Sequence, residues 1–209
     1  MIKPLTYLFD WDGTLGNSLP LWFATYLEVF TLFGVKTSYH EIADKVLGDW
    51  DGPANLGVKD LSGFYKVMEE RLAEELDEVI LNKGVMEMVQ KIKAEGGKVG
   101  LVTTSKRSYV EGALKNTGLW PYLDVFLGKE DVSQYKPDPE ILNKAMIVLG
   151  IKPEQTIMIG DSVKDIEAAQ RAGVRSVLYF PKRYREFYGS ERKLAFKPGR
   201  VIEDFEEMR

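Results

Sequence analysis

The apolar and polar positions along this chain change rhythm twice, and each rhythm predicts a different kind of element. Residues 6–10 (TYLFD) form a short, aromatic-rich apolar run ended by a glycine-containing turn, the pattern of a buried strand. Between about residues 17 and 82 no stretch reads as a strand, while several carry helical spacing. The clearest of these is residues 64–76, with apolar side chains at helical intervals and charged ones between them. Residues 19–35 are the most apolar stretch, yet they include Glu28 and several polar residues and fall short of the ~20 residues a membrane span needs. They predict a buried or amphipathic helix. The first residues carry no signal-peptide pattern, since a polar, acidic motif follows the opening apolar run almost at once.

Beyond Asn82 the rhythm becomes a regular alternation. Residues 85–94 predict an amphipathic helix closed by Gly96 and Gly97, and residues 98–103 (KVGLVT) a strand. Ser105 is placed to cap a helix ending near Gly118, and residues 124–127 (DVFL) predict a further short strand. Asp138, Pro139 and Glu140 read as the first positions of a helix that stops at Gly150. Residues 156–159 (TIMI) predict a strand, residues 162–173 a helix and residues 176–180 a last strand. Such β-α-β alternation with β-branched strands predicts an α/β fold, a doubly wound parallel sheet covered by helices on both faces. The expected division is a core built from residues 1–15 and 84–209, with an α-helical insertion at 16–83. Gly16 and Gly84 are the expected hinges of the two crossing linkers.

Composition narrows the chemistry. A chain of 209 residues with 44% hydrophobic content suits one such core plus a smaller insertion. A net charge of −4 argues against a dedicated nucleic-acid binder. The basic, aromatic-interleaved stretch at 182–200 reads as a solvated loop or helix face beside the functional edge. The absence of cysteine excludes disulfides, thiolate zinc sites and cysteine nucleophiles. The single histidine, His40, follows Ser38 and precedes Glu41, a capping-box spacing that makes it a helix-start residue. Carboxylates, hydroxyls and lysines are left to do the work. A cytoplasmic protein, monomeric or homodimeric, with no membrane or nucleic-acid partner is expected.

Ligands of doubly wound sheets bind outside the carboxyl ends of the strands. Four polar clusters fall there: Asp10-Trp11-Asp12-Gly13-Thr14, then Thr103-Thr104-Ser105, then Lys136-Pro137, then Gly160-Asp161-Ser162 with Asp165. Each has an ordinary structural reading. Asp10 to Gly13 can be a polar turn. Thr103 can be a strand residue, Lys136 a surface lysine, and Ser162 with Asp165 a capping box. Together, in this order, they resemble the haloacid-dehalogenase-like superfamily, in its phosphoglycolate-phosphatase and β-phosphoglucomutase-like branch with a small helical cap.

That resemblance implies a magnesium-dependent phosphatase acting on a small phosphomonoester such as phosphoglycolate, a sugar phosphate or a nucleotide. It implies Asp10 as covalent nucleophile, Asp12 as general acid and base, and Lys136 and Thr103 as groups that bind phosphoryl charge. Magnesium would be held by Asp10, the Asp12 backbone carbonyl and Asp161, with Asp165 bound through water or orienting the others. Thr104, Ser105, Asn17 and Lys106 are candidate substrate contacts. Trp22, Trp50 and Asn55 are further candidates by position, although Trp22 in an apolar helix also reads as core, and residues 48–57 form the expected specificity loop. A phosphomutase shares every core motif and is the alternative reading. A dehalogenase fits less well, because it lacks an acid at the Asp12 position, and a non-catalytic interaction protein would have little use for the acids and lysine.

Overall fold

The structure, a computed structural model, describes residues 6–73, 75–188 and 197–208. Its sheet has six parallel strands: β1 (Thr6–Phe9), β2 (Lys98–Val102), β3 (Val125–Leu127), β4 (Thr156–Gly160), β5 (Arg175–Tyr179) and β6 (Arg200–Ile202). Their order across the sheet is β3-β2-β1-β4-β5-β6. Strand β1 is therefore central, and the chain reverses its direction of travel on either side of it. That reversal opens the crevice where such sheets bind ligands.

Side chains alternate between the faces of the sheet, and the alternation splits the apolar core. Leu8, Val102 and Met158 point to one side, where they pack with Ile141, Leu142 and Ala168. These come from α7 (Glu140–Leu149) and α8 (Val163–Arg171). Phe9, Leu101 and Ile159 point to the other side, toward Val89 and Ile92 of α5 (Val85–Ala94) and Leu114 of α6 (Glu111–Asn116). The α/β, doubly wound architecture expected from the alternation is the one observed.

Between β1 and α5 lie α1 (Leu19–Leu32), α2 (Tyr39–Lys45), α3 (Gly52–Asn55) and α4 (Leu61–Leu72), the inserted α-helical cap. Helix α1 buries Trp22, Phe23, Tyr26, Val29 and Phe30 along one stripe. No helix among the described residues is long and apolar enough to cross a membrane. The apolar cluster of the cap, including Phe30, Phe64 and Met68, is continuous with the side of the core that holds Phe9 and Ile159. The linkers into and out of the cap run side by side: Asn17 N donates to Ile80 O at 2.8 Å and Asn82 N to Leu15 O at 2.8 Å.

Where elements differ from expectation, a named side chain accounts for it. Helix α4 begins at Leu61 because the Asp60 carboxylate accepts from Gly63 N at 2.9 Å, and Leu76 belongs to a separate 3-10 turn, Leu76–Glu78. Asp124 precedes rather than joins β3, its carboxylate taking Val99 N and the Lys93 ammonium, both at 2.7 Å. Ser105 caps no helix, since its hydroxyl is bonded to Asp12. His40 is exposed in α2 as expected, behind a Ser38 hydroxyl that accepts from Glu41 N.

The basic stretch at 182–200 departs further from the solvated loop expected of it. Tyr184 and Phe187 are buried, the latter in α9 (Arg185–Tyr188), and Arg200 opens strand β6. The aromatic residues between the charges supply the anchoring that charge counting misses. Residues 189–196 of that stretch lie outside the described residues.

Phe64 is fully buried and meets Phe30 and Phe33 at ring-centroid distances of 4.9 and 5.3 Å. Phe64→Ala is expected to cost about 3–5 kcal/mol through lost burial and the cavity left behind. A urea midpoint shifted by less than a third of that amount would mean that the cap collapses onto the vacancy.

Candidate active site

The hydrogen-bond ladder of β1 runs straight into the site. Asp10 N donates to Ile159 O at 3.0 Å, so Asp10 is fixed as an extension of the central strand. The chain then turns tightly, with Thr14 N on Trp11 O at 3.1 Å and Gly16 N on the same oxygen at 2.9 Å. Gly13 has a φ of +74°, and a Cβ there would stand 2.6 Å from Oδ2 of Asp161. Only glycine lets this turn lie against the acid at the end of β4.

Lys136 is the centre of the charge arrangement. Its ammonium donates to Asp10 Oδ1 at 2.8 Å, Asp165 Oδ1 at 2.6 Å and Val102 O at 3.2 Å. The side chain is 3% exposed, so a surface role is ruled out. Asp165 serves two ends at once. Its Oδ2 accepts from Ser162 N at 3.0 Å and Ser162 Oγ at 2.6 Å, completing the capping box of α8, while Oδ1 holds Lys136. The capping and the charge-bearing readings of Asp165 therefore coexist. Asp161 accepts from Thr14 Oγ1 at 3.4 Å and from the phenol of Tyr188 at 2.5 Å.

Asp12 lies on the cap side of the turn. Its carboxylate accepts from Ser18 Oγ at 2.6 Å, Trp22 Nε1 at 2.6 Å and Ser105 Oγ at 2.5 Å. Trp22 is thus both core and site: buried at 6% exposure, it spends its only donor on Asp12. Burial raises the pKa of Asp12, against the hydrogen bonds from Ser105, Ser18 and Trp22 that favour the ionised form. Asp10 is raised well above the usual carboxylate range, first by burial and then by the neighbouring acids Asp165, Asp161 and Asp12, with Lys136 opposing. Burial disfavours the Lys136 ammonium, yet Asp10 and Asp165 outweigh it and hold the pKa above the ordinary lysine value.

Oxygens of Asp10, Asp161 and Asp165 lie within 4.8 Å of one another, and all three residues are buried. Hard oxygen donors in a compact, electrically unbalanced group suit a small divalent cation. Lys136 donates to two members of this trio, Asp10 and Asp165. Burial and then the neighbouring acids raise Asp10, and such a cation would relieve the repulsion among them.

The cluster opens into a cavity of about 680 Å³ whose walls include Thr104, Ser105, Trp22, Tyr26, Trp50 and Tyr65. A cap loop forms its rim: Trp50 Nε1 donates to Thr104 O at 3.0 Å, and Lys164 Nζ to Leu47 O at 2.9 Å. Of the expected specificity loop, Gly48, Asp49 and Trp50 line the cavity, whereas Asn55 is exposed on α3 away from it. Lys106 and Asn17 are not in its walls either. Lys106 pairs with Glu69 in a separate hollow, and Asn17 belongs to the paired linkers. Thr103 is buried behind the wall, its hydroxyl accepting from Ser105 N at 3.1 Å.

Several residues that organise the site escape a reading by motif. Ser18 and Tyr188 bind the acids directly. Asn82 joins the linkers, donating to Thr14 O at 2.8 Å and Gly16 O at 3.3 Å and accepting from Arg183 at 2.7 Å. Tyr184 donates to Gly13 O at 2.8 Å. Asn82 sits directly after the helical stretch, the one hint that it guards a crossing point; the others carry no local signal.

A parallel sheet whose strand ends gather carboxylates around a buried lysine, beneath a helical roof, is a capped, doubly wound α/β architecture. Residues 7–179 match the haloacid dehalogenase-like hydrolases, and the chain belongs to that family. It is 35% identical over 188 residues to the pyrophosphatase PpaX of Bacillus cereus, covering 84% of this chain and 82% of the relative. A Bacteroides fragilis protein assigned to the haloacid dehalogenase-like hydrolases superposes with a TM-score of 0.84 at 26% identity, over 99% of this chain and all of that one. CbbY of Rhodobacter sphaeroides, solved with phosphate, superposes with a TM-score of 0.81 at 23% identity, over 98% and 96% of the two chains. The protein is an enzyme of the phosphatase class.

Replacing Asn82 by leucine strands the Thr14 carbonyl in a buried setting, whereas Gly16 O keeps Gly13 N at 3.0 Å. An expected loss of about 1–3 kcal/mol follows from the unmet acceptor, read from the denaturant midpoint. Stability equal to the parent protein would show that water takes over the amide's role.

Proposed function

We propose that this enzyme is a magnesium-dependent phosphatase of a small phosphomonoester, working through an aspartyl-phosphate on Asp10. The observation that carries the reading is the buried group of Asp10, Asp161 and Asp165 gathered around Lys136 at the end of the central strand. The division of the chain into a core of residues 1–15 and 84–209 and a lid of residues 16–83 is part of the proposal. So is the role given to each side chain.

Lys136 occupies Oδ1 of Asp10, which leaves Oδ2 as the attacking atom. Attack forms an oxygen–phosphorus bond as the ester oxygen departs. Asp12, whose pKa burial raises, delivers its proton to that oxygen. Now ionised and steadied by Ser18, Trp22 and Ser105, Asp12 takes a proton from water. The water attacks phosphorus, the bond to Asp10 breaks and inorganic phosphate leaves. Lys136 draws phosphoryl charge throughout, while Ser105 and the backbone after β2 face the phosphoryl group. Thr103 contributes by holding Ser105 N. Asp10, the Asp12 carbonyl and Asp161 would hold magnesium, with Asp165 orienting them. When bound, the ion supplies charge neutralisation between carboxylate and phosphate.

The test is phosphate release from a panel of phosphomonoesters, with pyrophosphate included because of the name borne by the PpaX relatives. Release is expected to require magnesium and to fall by at least about 10³-fold in Asp10→Asn, the removal of a covalent nucleophile. Retained turnover in that variant would exclude the covalent route. Conversion of a sugar phosphate without net phosphate release, dependent on a bisphosphate, would move the assignment to a phosphomutase.

Asp12→Asn is expected to slow breakdown of the phospho-enzyme by about 10²–10⁴-fold, the usual worth of acid–base assistance. With an aryl phosphate, whose leaving group needs no proton from Asp12, acid-quench labelling should then trap more phosphate on the variant than on the parent. Absence of label in both would count against the order of steps.

A further inference from the structure

The site reads the phosphoryl group at one end of the cavity, and the rest of the cavity wall describes what the phosphoryl group is attached to. Two features stand out, charge and aromatic surface. Besides the acids already described, the wall holds Asp44, Asp49 and Glu167. Of its two lysines, Lys136 is answered by Asp10 and Asp165, while Lys164 donates to the neutral Leu47 O and keeps its positive charge. Glu167 is partly answered by Arg171 at 3.5 Å. Among the described residues these three acids outnumber Lys164 on the wall, a balance that disfavours a second anionic group.

Two further cations among the described residues, Lys129 and Lys106, stand on the other side of Trp50. Lys129 lies 3.5 Å from the Trp50 ring centre and Lys106 5.3 Å from it, both lining a second, more open hollow. Trp50 and Tyr65 line both hollows and stand between them. Lys106 is further tied to Glu69.

The aromatic surface is arranged as two pairs. Trp22 and Tyr26 stack at 5.8 Å and 29°, and Trp50 and Tyr65 meet at 4.8 Å and 44°. Both indole N–H groups are consumed, by Asp12 and by Thr104 O, so what the tryptophans have left for a ligand is apolar ring. At about 680 Å³ the cavity also exceeds what a two-carbon or diphosphate substrate needs.

Building on the phosphatase reading, we propose that the substrate is a phosphomonoester whose leaving group is uncharged or cationic and carries a ring, held between these aromatic pairs. Asp44 and Asp49 act as specificity residues that turn away substrates with a second negative charge.

Four compounds separate charge from ring: benzyl phosphate, glycerol 1-phosphate, 2-phosphoglycolate and pyrophosphate, each assayed with magnesium. The kcat/KM for benzyl phosphate is expected to exceed those for 2-phosphoglycolate and pyrophosphate by about tenfold or more, with glycerol 1-phosphate between them. Asp44→Asn with Asp49→Asn should narrow the benzyl-to-phosphoglycolate ratio, and Trp50→Leu should raise KM for benzyl phosphate about tenfold while kcat holds. Phosphoglycolate or pyrophosphate turned over as well as benzyl phosphate would overturn this proposal and leave the phosphatase reading standing. No release from any compound would sink the phosphatase reading instead. Calorimetric binding to Asp10→Asn then still decides the selectivity, with tighter binding of 2-phosphoglycolate than of benzyl phosphate overturning it.

Discussion

A single ammonium group, buried between two carboxylates, is the constraint on which the site depends. Lys136 reaches from the loop before α7 to the end of β1 and the start of α8, joining three separate parts of the core. Buried ion pairs are poor contributors to stability, because desolvation consumes most of the Coulombic gain. This one is nevertheless over-supplied with acid. Burial first, and then the charges of Asp165, Asp161 and Asp12, push the pKa of Asp10 upward. An imbalance of this kind is one that added positive charge would relieve.

The sheet supplies the precision this needs. Asp10 continues the pairing of β1 with β4, and Thr103 N continues the ladder of β2 on Leu127 O at 3.0 Å. Groups at strand ends inherit the rigidity of the two apolar layers beneath them. Loops alone would not hold acids so close together. The turn from Asp10 to Gly16 is in turn pinned from outside by Asn82 and Tyr184, which take up the carbonyls of Gly13, Thr14 and Gly16.

How much of this was legible in the sequence follows from the range of the interactions concerned. The acids and the lysine were readable because four polar clusters sit at successive strand ends, a regularity that short-range pattern exposes. The capping box of Ser162 and Asp165 was readable for the same reason. Strand β6 was not, since residues 200–202 are a three-residue strand beside a charged stretch whose identity only pairing with β5 decides. Ser105 was misread as a cap because its hydroxyl had a stronger acceptor, a carboxylate 93 residues earlier. Lys106 was drawn off in the same way by Glu69. Asn82 with Tyr184, and Tyr188 with Asp161, are pairs that only the folded chain brings together.

The cap is attached unevenly. On one side Phe23 stacks on Phe187 at 4.6 Å and Tyr39 meets the same ring at 5.5 Å, an apolar seam between cap and core. At the rim the attachment is largely polar: Trp50 donates to Thr104 O and lies under the Lys129 ammonium, Lys164 donates to Leu47 O, and Glu69 holds Lys106 and Tyr109. A net hydrogen bond is worth about 0.5–1.5 kcal/mol, whereas separating stacked aromatic rings exposes apolar area that water does not repay. Parting the rim would therefore expose less apolar area than parting the seam. The rim residues Trp50, Asp49 and Gly48 are also walls of the cavity, so the polar edge of the cap and the boundary of the cavity are the same loop.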